Sequence, residues 1–199
     1  MRIPQIARRA LASLALLAAC GGLLRPRPAF AQASGAPGPG RLGGISALVI
    51  PVAGMTCALC TRGVEQSIKL LDSVLGASPE LSTGLVRVEA AEGRSLNIRD
   101  IKERVQKAGF KVGGECEVEA IGRFTIDPEG QITFRIPGTV YAYQVLEGGE
   151  LKRLFRGRPG LRGNFFVVFR LHEHPRWKAP AISIVRGDPR GETTSLAGR

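Results

Sequence analysis

Two cysteines three positions apart, Cys57 and Cys60, fall between an apolar extended run (residues 47–52) and a stretch with helical spacing at Val64, Ile68 and Leu71. This order constrains the fold more than any other feature. It places Gly54-Met55-Thr56-Cys57-Ala58-Leu59-Cys60 on a strand-to-helix turn, with Cys60 at about the first residue of the helix. Thiols there are acidified, because free N–H groups and the positive end of the helix dipole stabilise a thiolate. Two thiolates on one short loop between stiff elements suit a soft cation such as Cu(I), Hg(II) or Zn(II).

The surrounding pattern predicts a small α+β unit over residues 45–113. Leu48, Ile50 and Val52 alternate toward one face of a strand, in which Pro51 removes one ladder donor. A helix over residues 60–71 carries Glu65 and Lys69 at supportive spacing on its wet side. Residues 74–82 contain Pro79 and suit an edge strand, and Thr83-Gly84 turns the chain into another strand over 85–90. Asn97 with Asp100 reads as a helix start, and Ile98, Ile101, Val105 and Ala108 line one face up to Gly109. A last strand begins at 110–112. The order βαββαβ is ferredoxin-like: a four-stranded antiparallel sheet with both helices on one face.

Residues 45–112 resemble a heavy-metal-associated domain, the fold of copper chaperones, of metal-binding modules of P-type ATPases and of the periplasmic mercury-binding protein. The resemblance rests on Gly54-Met55-Thr56-Cys57-x-x-Cys60, Val64-Glu65, Ser82-Thr83-Gly84 and Ala108-Gly109-Phe110. It implies that Cys57 and Cys60 are the metal ligands, that Met55 packs under the loop and that Phe110 sits beside it. Phe110, where cytosolic copper chaperones often carry lysine, is closer to the transporter and mercury-binding versions. A thiol–disulfide oxidoreductase is the competing reading of the same pair. Thr56 before the first cysteine and Ala58-Leu59 between the two lack the aromatic and proline usual in such sites. At about 3.3 Å per strand residue, Cys116 is expected roughly 20 Å from Cys57 and not to be a ligand.

The second half, residues 115–188, is β-rich. Strands are expected near 118–126, 132–136, 140–145, 164–172 and 181–185, with a short helix around Leu151, Leu154 and Phe155. Five strands with a helix between the third and fourth resemble an OB-fold barrel. Phe165, Phe166, Phe169, Arg156, Arg158, Arg162 and Arg170 supply the ingredients of single-strand nucleic-acid binding. Alternate phenylalanines filling the barrel account for them equally, and export argues against a nucleic-acid partner. His172-Glu173-His174 could present two imidazoles on one strand face or be an exposed strand end.

Export is read from the N-terminus. Residues 1–31 hold five arginines, no acid and an apolar stretch at 11–24, and Ala29-Phe30-Ala31 fits a signal-peptidase site. Leu17-Ala18-Ala19-Cys20-Gly21 also fits a lipoprotein box, which would make Cys20 a lipidated first residue and the only route to the membrane. Without residues 1–31 the net charge of +11 falls to +6, with 23 basic against 17 acidic residues, a moderately basic protein. Residues 32–44 read as a flexible linker and 189–199 as a disordered tail. The four cysteines are too few for a disulfide scaffold and wrongly spaced for a four-thiolate zinc site. The reading is a periplasmic, non-enzymatic protein of a Gram-negative-type bacterium. It would hold one soft ion, Cu(I) foremost, on Cys57 and Cys60 for transfer to an envelope partner. A non-metal envelope interaction module is the other alternative.

Overall fold

The computed structural model describes residues 43–156, 163–173, 176–177 and 179–190. The export segment 1–31 with Cys20, the linker up to 42, Arg158, Arg162, His174 and the tail from 191 lie outside the described residues.

Strand β1 (Gly44–Ala53) is the centre of the first half. Its alternate residues Leu48, Ile50 and Val52 are buried and face two helices, α1 (Ala58–Lys69) and α2 (Ile98–Lys107). The helical faces are those the 3.6-residue spacing marks: Val64 and Ile68 on α1, Ile98, Ile101 and Val105 on α2. Strand β3 (Leu85–Ala90) pairs antiparallel with β1, and β2 (Val74–Glu80) lies outside it as the edge strand. Pro79 is therefore tolerated on β2. Pro51 stays in register opposite Leu85, and its carbonyl accepts from Gly113 N–H at 3.0 Å. Helix α1 begins two residues earlier than expected, at Ala58.

The fourth strand of this sheet is not one segment. Strand β4 (Lys111–Val112) covers only Ala53 and Val52 of β1. After Gly113-Gly114-Glu115 the edge of β1 is taken up again by β5 (Cys116–Ile126), from Val49↔Glu117 to Gly44↔Ile121. Arg87 on β3 reaches across small, buried Ala47 to Glu119 on β5 (3.0 Å) while also meeting Glu89 (3.2 Å).

Strand β5 then continues into a barrel. Along its length it pairs antiparallel with β8 (Asn164–His172), and at its far end with β6 (Ile132–Arg135). Strand β6 pairs with β7 (Ala142–Val145), β7 runs parallel to β9 (Ala181–Arg190), and β9 returns to β8. The ring β5-β6-β7-β9-β8 is closed, and helix α3 (Gly149–Phe155) lies between β7 and β8 in the chain. Its interior is aromatic, with Phe124, Phe134, Phe165 and Phe169 buried and in mutual ring contact. Strand β9 extends to Arg190, past the expected boundary at 188. Because β5 serves both the helix-covered sheet and the barrel, one buried cluster runs from Ile45 to Ile182 with no gap at 113–115.

Asn97 joins the two halves at a second point. Its Oδ1 accepts from Arg99 N–H (3.0 Å), capping α2, and from the Tyr141 hydroxyl (2.8 Å). Asn97→Ala removes both bonds and is expected to cost about 1–2 kcal/mol, the range of a lost N-cap, read as a lower denaturant midpoint. Asn97→Asp keeps an acceptor oxygen and should recover most of that loss.

Candidate metal-binding loop

The loop is shaped from below by its apolar residues. Strand β1 ends at Ala53, and Gly54 takes φ +95°, a conformation that disfavours a side chain. The chain then inserts Met55, which is buried, under the turn. Phe110 flanks the loop: a Cβ built on Gly54 would lie 3.7 Å from its Cδ1. These placements agree with what the resemblance implied for Met55 and Phe110.

Above that floor the two cysteines meet. Cys57 is the N-cap of α1, with extended φ −149° and ψ 162°, and its Sγ accepts from Cys60 N–H at 3.2 Å. Cys60 is thus the third residue of the helix, not the first. Its thiol is pulled below the ordinary range, chiefly by a hydrogen bond with the Cys57 side chain and then by the Thr56 backbone. The first turn of α1 contains no acidic side chain, so the helix itself brings no negative charge to the positive end of its dipole. Cys57 is exposed, Cys60 half-buried, and Leu59 between them is 78% exposed. An incoming thiol therefore has a direct approach. Sequence reasoning missed the capping role of Cys57 because cysteine is not among the preferred caps.

The other candidates lie apart from this loop. Cys116 is buried at the start of β5 opposite Leu171, and burial pushes its thiol up. Native alkylation at neutral pH is accordingly expected to modify Cys57 and Cys60 and to spare Cys116 until the chain is unfolded, as peptide mapping would show. His172 is held at both ring nitrogens, Nδ1 2.9 Å from Glu115 Oε1 and Nε2 2.8 Å from Ser183 Oγ. Among the described residues no three His, Cys, Asp or Glu side chains are placed to share a metal ion. Phe165 and Phe169 fill the barrel, so neither can stack on a ligand from outside. Phe166 lies under the Arg186 guanidinium, 5.8 Å from the ring centroid.

Residues 49–111 match the heavy-metal-associated domain. This stretch is a heavy-metal-associated domain. Domains of this family bind heavy-metal ions and exchange them with partner proteins without catalysing a reaction. Among solved structures, the CopZ metallochaperone aligns at 26% identity over 34% of this chain and 100% of its own, with a TM-score of 0.32. A copper-binding domain from HMA7, a P-type ATPase, aligns at 31% identity over 34% of this chain and 90% of its own, TM-score 0.32. The N-terminal domain of a potential copper-translocating P-type ATPase from Bacillus subtilis aligns at 28% identity over 34% and 84%, TM-score 0.31. No curated protein matches the chain.

Proposed function

We propose that the heavy-metal-associated domain of this chain holds one soft metal ion, Cu(I) foremost, between the thiolates of Cys57 and Cys60 for delivery to a second protein. The observation that carries this reading is the pairing of two thiols at the N-terminus of α1, one capping it and one in its first turn, on an exposed loop. The donor set fits the cargo: two soft anionic sulfurs suit Cu(I), which accepts two thiolates, whereas hard cations need oxygen ligands. Hg(II) and Zn(II) accept the same donors and are the competitors to be tested. With no third His, Cys, Asp or Glu side chain among the described residues placed to share the ion, a thiol of the receiving protein can add to the metal before either cysteine leaves, and the ion changes hands without being released to water. The protein in this reading is not an enzyme.

Residues 1–31, read as an export signal, put this exchange in the periplasm with an envelope protein as recipient, and lipidation at Cys20 would tether it there. We also read the barrel as OB-like. Support comes from its strand order β5-β6-β7-β9-β8, the parallel β7–β9 pair and helix α3 between its third and fourth strands. The test is metal stoichiometry on the reduced full chain, with Cu(I), Hg(II) and Zn(II) each competing against a calibrated chelator. One tightly held Cu(I) per chain is the expected result. A chain that retains no metal and recovers activity as a disulfide reductase would transfer the pair to redox chemistry.

A further inference from the structure

Three connections meet at the end of the first sheet that carries the cysteine loop. Residues 54–59 follow β1, residues 81–84 join β2 to β3, and residues 108–110 lead from α2 to β4. Backbone pairing fixes their proximity. Val52 N–H donates to Gly84 O at 2.7 Å, Leu85 lies opposite Pro51, Lys111 lies opposite Ala53, and Phe110 flanks Gly54. The three stretches are Gly-Met-Thr-Cys-Ala-Leu, Leu-Ser-Thr-Gly and Ala-Gly-Phe, without one charged side chain. Apolar surface is open to solvent there: Leu59 is 78% exposed, Leu81 46% and the adjoining Leu85 37%.

Charge begins one layer below this tip and is mostly positive. Arg62 follows Cys60 by two residues on α1, Lys107 ends α2 and Lys111 opens β4. All three are exposed, and none is in an ion pair among the described residues. The helix acids closest to them are each balanced by a cation, Glu65 by Lys69 (2.5 Å) and Glu103 by Arg99 (3.2 Å). Glu80, at the end of β2, is the one acid beside the tip, and the hydroxyls of Ser82 and Thr83 donate to it, each at 2.9 Å. The collar is therefore net positive. At the opposite end of the same sheet, the turns at 72–73 and 91–95 carry both signs, with Asp72, Glu92 and Arg94.

An uncharged, partly apolar tip above a basic collar matches an anionic bilayer in both layers. Leucines enter the boundary between headgroups and acyl chains, while Lys and Arg keep their heads level with the phosphates. A protein partner is registered by complementary charges of both signs around an apolar centre. A lipid surface offers one sign and no register, and the unpaired charges of this collar on α1, α2 and β4 are all cations. The export segment, read from residues 1–31, brings the chain to such a surface. We infer that the cysteine-loop end is a docking surface for an anionic phospholipid bilayer, with Leu59, Leu81 and Leu85 in the interface and Arg62, Lys107 and Lys111 on the phosphates. This is a route to the membrane besides lipidation at Cys20. The inference rests on the metal reading for its purpose, delivery to a recipient embedded in that bilayer, but the contact itself requires neither metal nor thiol.

The test uses the metal-free full chain and isotropic bicelles of phosphatidylcholine with or without phosphatidylglycerol, doped with a lipid that carries gadolinium on its headgroup. In the phosphatidylglycerol bicelles, heteronuclear NMR is expected to show the amides of Leu59, Thr83 and Gly109 broadened. Those of Ser73 and Gly93, at the other end of the sheet, should be spared. At about fivefold in affinity per cation, Arg62→Gln, Lys107→Gln and Lys111→Gln together should raise the lipid concentration for half-maximal broadening roughly a hundredfold. Leu59→Gln should weaken the contact without lowering the melting temperature, since Leu59 is exposed. Cys57→Ser with Cys60→Ser should leave the contact in place, so loss of metal binding and loss of docking are separate results. No broadening of the three loops, equal broadening at both ends of the sheet or without phosphatidylglycerol, or indifference to the triple variant would each overturn the inference. Shifts of the same amides by polyglutamate, with none from bicelles, would overturn it in favour of an acidic protein.

Discussion

The full chain carrying Cys57→Ser and Cys60→Ser together is expected to lose soft-metal binding by at least about a thousandfold while keeping its thermal stability. The first half of that statement follows from ligand chemistry. A serine hydroxyl is not ionised near neutral pH and is a hard donor, so the double variant offers a soft ion nothing to replace two thiolates. The second half follows from the place of Cys57 at the head of α1. Its Sγ accepts the Cys60 N–H, and serine is a better N-cap than cysteine for the same bond. Cys60 is only half-buried and packs at the margin of the core, so replacing its sulfur by a hydroxyl removes little buried contact. Loss of metal with an unchanged melting curve therefore separates ligation from folding. Each single serine variant should sit between, because one thiolate remains, but with faster release to a competing chelator. Metal retained by the double variant would show that the ion binds elsewhere, and would end the proposal.

Much of this loop and its supports was legible in the chain, and the reasons differ by element. Periodicity alone marked Val64 and Ile68 on α1 and Ile98, Ile101 and Val105 on α2, because a helix that covers one face of a sheet must repeat its apolar residues every three to four positions. The strands of the second half were also legible, since alternation of apolar residues and turn chemistry such as Asp127-Pro128-Glu129-Gly130 are local signals. What local signals do not carry is which strands meet. Val118 and Ala120 read as the opening of a new unit, and nothing in their alternation says that β5 has β1 on one side and β8 on the other. The short β4 and the break at Gly113-Gly114 were illegible for the same reason: the edge of β1 decides them, and it lies more than fifty residues earlier in the chain.

The sharing of β5 leads to the second large effect. Phe134→Ala is expected to lower stability by about 3–5 kcal/mol, the range for removing a fully buried aromatic side chain. For a chain of this size that corresponds to a melting temperature lower by roughly 6–20 °C. Phe134 is fully buried, its ring centroid 4.9 Å from that of Phe124 and 5.9 Å from that of Phe169. Its ring tip also lies against β5 at Gly122, where an added Cβ would fall 2.6 Å from its Cζ and collide with the Arg135 carbonyl oxygen. The void left by alanine is thus bounded by β5 itself. Gly122 is next to Ile121, the last β5 residue paired with β1, so a strand loosened there is the one that completes the sheet under the metal loop. The loss should therefore appear in one cooperative transition, seen at the same temperature by circular dichroism of the whole chain and by a fluorophore attached at Cys57. If the barrel and the metal domain had separate cores, the barrel would melt first and the probe at Cys57 would report the parent temperature. That outcome would overturn the coupling through β5, whereas coincident, lowered transitions would mean that the barrel sets the temperature range over which the cysteine loop is held in shape.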